Sequence, residues 1–462
     1  MSRTHLLGAV SAVALACLSG VAYAQESTTA ITGGGSTLAE FDYFTEFATF
    51  NASQAAGAAT FANINAPNAN DTLYWPAGSG SGQSGFLNND ITCDANKVTG
   101  ANGAACSNTP GGANSVDYGA SDATLSASQI SGWSTSIYGQ SAAGNLIQLP
   151  SMGVGIAIPV VNAKVKTNGG ITLSDADLCG IFSGKFTDWS QTSAYGTGKK
   201  AGATLASGAI TVVYRSDGSG TSFLTLNHFA KVCNTTNSNF TFPITPSTTF
   251  TSVFKTVPAN FVGESGSSGV ASYLANGEAT APATPVTSAI GYISPDFTTV
   301  DPNSSAVLAN GAKSPLVVAM VASTTKGYLP TVTNIENALN HAASGTTLTA
   351  PTTASAGANP NNWVPLIQTV STGYPIVGYT TFDFAQCYAS PVIATGIINF
   401  LKDHYSTTAA YATTLANNGF VAIASTGAKV FSTPITKAIL SNTDKWNIDI
   451  NDATTCKGKT GR

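Results

Sequence analysis

The stretch that decides the reading is Ala209-Ile210-Thr211-Val212-Val213-Tyr214-Arg215-Ser216-Asp217-Gly218-Ser219-Gly220-Thr221. Its first half is apolar and β-branched, which predicts a strand. Its second half is a Gly/Ser turn. The residues that follow, Phe223, Leu224, Leu226, Phe229 and Ala230, recur at helical spacing. Strand, tight turn and helix N-terminus therefore come in succession. The first turn of a helix has free N–H groups at the positive end of its dipole, so it favours an anion. Arg215 adds a planar fork of donors suited to two oxygens of one oxyanion.

Two further stretches make the same kind of turn. Ile31-Thr32 leads into Gly33-Gly34-Gly35-Ser36-Thr37-Leu38, followed by Phe41, Phe44, Phe47 and Ala48 at helical spacing, with Glu40 and Asp42 in the first turn. Gly78-Ser79-Gly80-Ser81-Gly82 runs into Gln83 to Leu87. Asp117-Tyr118-Gly119-Ala120-Ser121-Asp122 precedes a helix expected from near Ser126. Other expected helices lie around Leu173 to Trp189, Val270 to Leu274, Thr333 to His341 and Ser390 to His404. Ala289 to Ile293 reads as a strand stopped at Pro295, and Trp363 to Tyr379 as strand-like with a Gly-Tyr-Pro break. Alternating strands and helices predict an α/β architecture.

Charged residues make up only 9% of the 462, far below the roughly 25% usual in soluble proteins. Hydrophobic residues make up 43%, enough for large cores and for two lobes. Residues 1–24 read as a secretory signal: Arg3, an apolar run from Leu6 to Leu18, then Ala22-Tyr23-Ala24 before the cut. Ala14-Leu15-Ala16 is a poor lead-in to Cys17 as a lipid anchor, so a free periplasmic or secreted protein is expected. No later apolar run reaches the roughly 18 residues of a membrane span, so no membrane insertion is expected. The net charge of −4, without basic clusters, argues against nucleic acid as the partner.

Six cysteines follow the leader, an even count that reads as three disulfides among 15 possible pairings. Their order suggests Cys93–Cys106, Cys179–Cys233 and Cys387–Cys456, each closing its own loop. No C-x-x-C or His-rich spacing supports a metal site, and no cofactor is expected.

The glycine stretches together offer the hydroxyls of Thr37, Ser79, Ser219 and Thr221, amides near Leu38 and Gly220, and Arg215. All donate. Asp122 is the exception, and a carboxylate beside an anion is repulsive unless that anion carries a proton to give. Monohydrogen phosphate carries one at neutral pH and sulfate does not, so the set predicts phosphate held and sulfate refused.

These stretches occur in the order seen in periplasmic phosphate-binding proteins of ABC uptake systems, which the chain resembles. Leu146-Ile147-Gln148-Leu149-Pro150-Ser151, Leu178-Cys179-Gly180-Ile181-Phe182-Ser183-Gly184, Tyr292-Ile293-Ser294-Pro295-Asp296-Phe297, Gly373-Tyr374-Pro375-Ile376 and Gln386-Cys387-Tyr388 look like the DING subgroup. Ala30-Ile31-Thr32-Gly33 stands where that subgroup carries its namesake tetrapeptide. The resemblance implies a two-lobed (type II) clamshell that closes over inorganic phosphate, with arsenate as a mimic. It implies a site of Thr37, Leu38, Ser79, Asp122, Arg215, Ser219, Gly220 and Thr221. Residues 25–150 with 297–462 would form one lobe and 151–296 the other. A monomer delivering to an ABC permease, or an extracellular scavenger, is expected. The alternative is a secreted alkaline phosphatase-like phosphomonoesterase, since some proteins of this subgroup are reported with that activity. No G-x-S-x-G elbow, P-loop or clustered metal ligands support it.

Overall fold

A computed structural model describes residues 29–62, 73–91, 115–165, 170–193, 205–276, 286–298, 300, 316–323, 326–341, 349–406, 409–423 and 429–462. The leader and the Cys93–Cys106 loop lie outside the described residues.

Two mixed sheets organise the chain. The five-stranded one is built on Leu146–Gly155 and Val377–Ala385, antiparallel neighbours in which every residue is buried. Such strands read as near-continuous apolar runs because both faces are covered. Tyr118–Ser121 pairs antiparallel with Val377–Ala385 and parallel with Gly33–Gly35, and Val421–Ala422 forms the other edge. Beneath it, the helix Glu40–Ser53 contributes Tyr43, Phe47 and Phe50 to an aromatic cluster with Phe61, Tyr118, Phe382 and Phe400.

The four-stranded sheet runs in the order Val160–Asn162, Ser288–Gly291, Thr211–Arg215, Phe261–Glu264. Its last three strands are parallel. Arg215 is the final residue of its strand, and Ser219 caps the helix Gly220–Val232, as the sequence predicts. Ligands of open α/β sheets bind beyond the carboxyl ends of the strands, which is where this turn lies. A smaller sheet joins Thr172–Leu173 with Met320–Ser323 and Lys326–Tyr328. The chain passes between the large sheets side by side at Ala157 and Ile293, which bridge each other antiparallel.

The triple glycine is not the turn the sequence suggested but the strand itself; the turn is residues 36–39. A Cβ on Gly33 would sit 2.2 Å from the Tyr118 carbonyl oxygen, and one on Gly35 2.1 Å from that of Ala120. Gly35, at φ 141°, also adopts a backbone that L side chains avoid. The second glycine cluster becomes the helix Ser79–Asn88. There a Cβ on Gly82 would lie 2.6 Å from the Cα of Gly35, so the glycines let helix and strand touch backbone to backbone.

The expected strand at 363–379 begins only at Val377. Before it, the Tyr374 amide donates to the Asn334 carbonyl at 3.0 Å, and Gly373, at φ 89°, packs against the helix Val332–Asn340. Those contacts replace sheet pairing. The helices expected near Ser126, Leu173, Val270, Thr333 and Ser390 form as Ala127–Thr135, Asp175–Phe182, Gly266–Asn276, Val332–Asn340 and Pro391–His404. Cys179–Cys233 ties the helix Asp175–Phe182 to the end of Gly220–Val232, and Cys387–Cys456 pins the C-terminal segment.

Candidate functional site

The turns from the two large sheets meet face to face. On one side stand residues 36–38, Ser79 at the start of its helix, and Asp122 just past the strand Tyr118–Ser121. On the other stand Arg215 and the turn to Gly220. The contact is close: the Gly80 amide donates to the Gly218 carbonyl at 2.8 Å. A Cβ on Gly78 would lie 2.7 Å from Asp217 Oδ2, and one on Gly220 2.5 Å from both Ser79 Oγ and Asp122 Cβ. Glycine is required at these positions because nothing larger fits between the faces.

Arg215 is 2% exposed, and its guanidinium is fully engaged. Nε donates to Asp217 Oδ1 at 2.7 Å, and Nη2 donates to Asp217 Oδ2, a fork against one carboxylate. Nη2 also reaches across to Thr37 Oγ1 at 2.8 Å. Nη1 donates to Ser267 Oγ at 3.2 Å and to Thr221 Oγ1 at 3.4 Å. The backbone is held as well: the Arg215 amide donates to Tyr292 Oη at 3.1 Å, and Tyr292 Oη is 2.8 Å from Ser222 Oγ. Burial works to raise Asp217, but the charge of Arg215, its donated bonds and the Gly266 amide outweigh it and hold that carboxyl below its usual range.

Asp122 is the opposite case. Burial pushes its carboxyl up to about 6, against the lowering effects of Ser36, Ser79 and the charge of Arg215. Ser36 Oγ donates to Oδ1 at 2.6 Å and Ser79 Oγ to Oδ2 at 3.1 Å. Its own amide donates to Ser79 Oγ at 3.1 Å. The carboxyl is therefore poised to hold or accept a proton near neutrality, among donors and beside a guanidinium.

Of the residues named from sequence, Thr37, Ser79, Asp122, Arg215, Gly220 and Thr221 come together where the two faces meet. The Leu38 amide donates to Ser36 Oγ at 3.1 Å, and Ser219 Oγ caps its helix by accepting from the Ser222 amide at 3.2 Å. Ser36, Asp217, Ser267 and Tyr292 are further participants. Ser36 and Asp217 sit inside the quoted turns, and Ser267 lies in the first turn of the helix Gly266–Asn276. Tyr292, quoted above only for the resemblance, arrives just past the strand Ser288–Gly291, and no local feature marks this role. Among the described residues, no group of His, Cys, Asp and Glu could hold a metal ion, and no helix is long and apolar enough to cross a membrane.

Known proteins share this fold. The family model described as a PBP superfamily domain matches residues 25–406. Alkaline phosphatase L of Pseudomonas aeruginosa is 32% identical over 401 residues, covering 83% of this chain and 86% of that one. A solved high affinity periplasmic phosphate-binding protein, with phosphate bound, superposes with a TM-score of 0.66 at 29% identity, covering 94% and 99% of the two chains. A phosphate-binding protein from Stenotrophomonas maltophilia does so with a TM-score of 0.64 at 28% identity and the same coverage. A solved DING protein gives 0.68 at 26% identity, again over 94% and 99%. The chain belongs to the PBP superfamily, and within it to the DING-like proteins of two-lobed α/β fold.

Proposed function

We propose that this protein binds inorganic phosphate between its lobes and releases it to a permease or keeps it as an extracellular reserve. Thr37, Leu38, Ser79, Asp122, Arg215, Ser219, Gly220 and Thr221 are the contacts of that site. The observation that carries the reading is the pairing of a buried, clamped Arg215 with a buried Asp122 whose carboxyl lies near 6. One end of the site stabilises negative charge, and the other, the Asp122 carboxylate, accepts the hydrogen bond of a proton carried by the anion. Monohydrogen phosphate matches both ends, arsenate mimics it, and sulfate offers no proton. The lobes are 25–150 with 297–462, and 151–296, except that residues 151–155 complete the strand Leu146–Gly155 of the first lobe and the returning strand Met320–Ser323 is laid along the second. The leader 1–24 sends the chain to the periplasm or beyond, as a monomer. Titration of the mature protein with phosphate, arsenate and sulfate tests the reading. Binding of the first two and not the third is expected, and equal binding of sulfate would refute it.

A second reading has one observation in its favour. Ser79 Oγ lies 3.1 Å from Asp122 Oδ2, so a carboxyl poised near neutrality stands beside a hydroxyl that could attack a phosphate ester. Relatives named alkaline phosphatase L are about a third identical to this chain. Turnover of a chromogenic monoester that disappears in Ser79→Ala would favour it, and none with pure protein would remove it.

A further inference from the structure

We infer that His228 is a positioning residue: with Asp175 and the carbonyl of Gln368 it forms a second closure latch, apart from the anion site, that engages when the imidazole is charged. His228 lies two turns along the helix Gly220–Val232, whose first turn faces the cleft. The same helix packs on the other lobe, since a Cβ on Gly378 would meet Leu224 Cδ2 at 2.5 Å. Beyond Leu224 it is tied there by polar bonds. Asn227 Nδ2 donates to the Ile367 carbonyl at 2.9 Å, and Gln368 Nε2 donates to the Asn227 carbonyl at 3.4 Å. His228 Nδ1 stands 2.8 Å from the Gln368 carbonyl oxygen, and Nε2 stands 3.0 Å from Asp175 Oδ1. The segment carrying Ile367 and Gln368 leads into the central strand Val377–Ala385, whereas Asp175 and His228 belong to the opposite lobe.

Both partners of the ring accept. A carbonyl has no proton, and an ionised carboxylate has none, so each ring nitrogen satisfies its partner only by donating. A neutral ring has one donor. Either Nδ1 lets go of the interlobe carbonyl, or Nε2 turns a lone pair toward a carboxylate. The imidazolium alone makes both bonds, and both are then charge-assisted. His228 is 1% exposed, while the Asp175 side chain is 33% exposed and so keeps solvent contact for its charge. The ring of Phe229 lies 6.2 Å from that of His228, and Lys231 is exposed one turn further along the helix. Among the described residues, Asp175 is the charged group in contact with His228. A strut running from anion site to latch lets the charge on a remote histidine stabilise the closed form that the ligand also needs.

The effect on phosphate rests on the binding function proposed above; the effect on closure does not, and the test separates them. NMR of the His228 ring nitrogens gives the titration of that ring in the mature chain. Small-angle scattering of ligand-free protein and stopped-flow release of phosphate are then followed through the same pH range. Loss of the ring proton should widen the molecule and speed release by about tenfold, the scale of one charge-assisted bond. In Asp175→Asn the side-chain amide can donate to a neutral Nε2, so the latch should hold and both pH profiles should flatten. His228→Ala should be open-prone at every pH. If wild type and Asp175→Asn give the same scattering profile against pH, the latch is wrong, whether or not phosphate binds. If scattering follows the ring but phosphate does not bind at all, the latch stands and the function proposed above fails.

Discussion

The two faces of the cleft handle buried charge in opposite ways. On the Arg215 face, Asp217 is paired inside its own turn: a fork of donors and a backbone amide hold the carboxyl below its usual range. On the opposing face, Asp122 receives two serine hydroxyls, and burial leaves it near 6. The difference is one of partner. A guanidinium compensates a carboxylate's lost water, whereas hydroxyls do so only in part. The first face is thus finished before any ligand arrives, and the second has an unmet demand that a proton-bearing anion can fill.

Removing the finished pair should have the largest effect. Arg215→Ala leaves Asp217 buried without its counter-charge and takes the positive charge from the site. Phosphate affinity measured by calorimetry should fall by about 2–5 kcal/mol, the range for truncating one partner of a buried charged pair. Unchanged affinity would break the comparison.

Asp122→Asn should act in the opposite sense on the ligand-free protein. The carboxyl of Asp122 has its proton affinity raised from 3.8 to about 6 on folding. The folded state therefore holds more protons, and stability is lost as pH rises between those values. Asparagine does not carry that cost, so thermal melts above pH 6 should show the variant gaining up to about 3 kcal/mol relative to wild type. In competition binding its refusal of sulfate should relax. A variant that stays selective and melts in parallel with wild type at every pH would show that Asp122 is only a turn residue.

Ser267→Ala should have the smallest effect, because Arg215 keeps its fork on Asp217 and its bond to Thr37. A loss of about 0.5–1.5 kcal/mol in phosphate affinity, the usual size of one hydrogen bond, is expected by calorimetry. A loss as large as that of Arg215→Ala would mean that Ser267, and not Asp217, sets the guanidinium in place.

Much of the candidate site was legible because its chemistry is local. Arg215, Asp217, Ser219 and Gly220 share one turn, and strand-to-helix patterning announces that turn whatever the rest of the chain does. Thr37 and Ser79 were legible for the same reason. Roles that depend on packing were not. Gly33–Gly35 has the composition of a turn and becomes a strand because Tyr118, Ala120 and Trp75 leave no room for a side chain. Trp363 to Ile376 has the apolar content of a strand, yet its backbone groups pair with scattered partners: Tyr374 with Asn334, Ser371 with His341, and Ile367 with the Asn227 side chain.

The sequence alone determined the alternation of strands and helices, the donors gathered at the glycine turns, and an acid among them, because propensity, capping and turn chemistry act over a few residues. Tertiary structure alone decided that Asp122 comes within electrostatic reach of Arg215, that burial lifts one carboxyl while an ion pair lowers the other, and that His228 meets Gln368 from the far lobe. Those properties depend on the dielectric and the neighbours at a point in space, which residues far apart along the chain supply together.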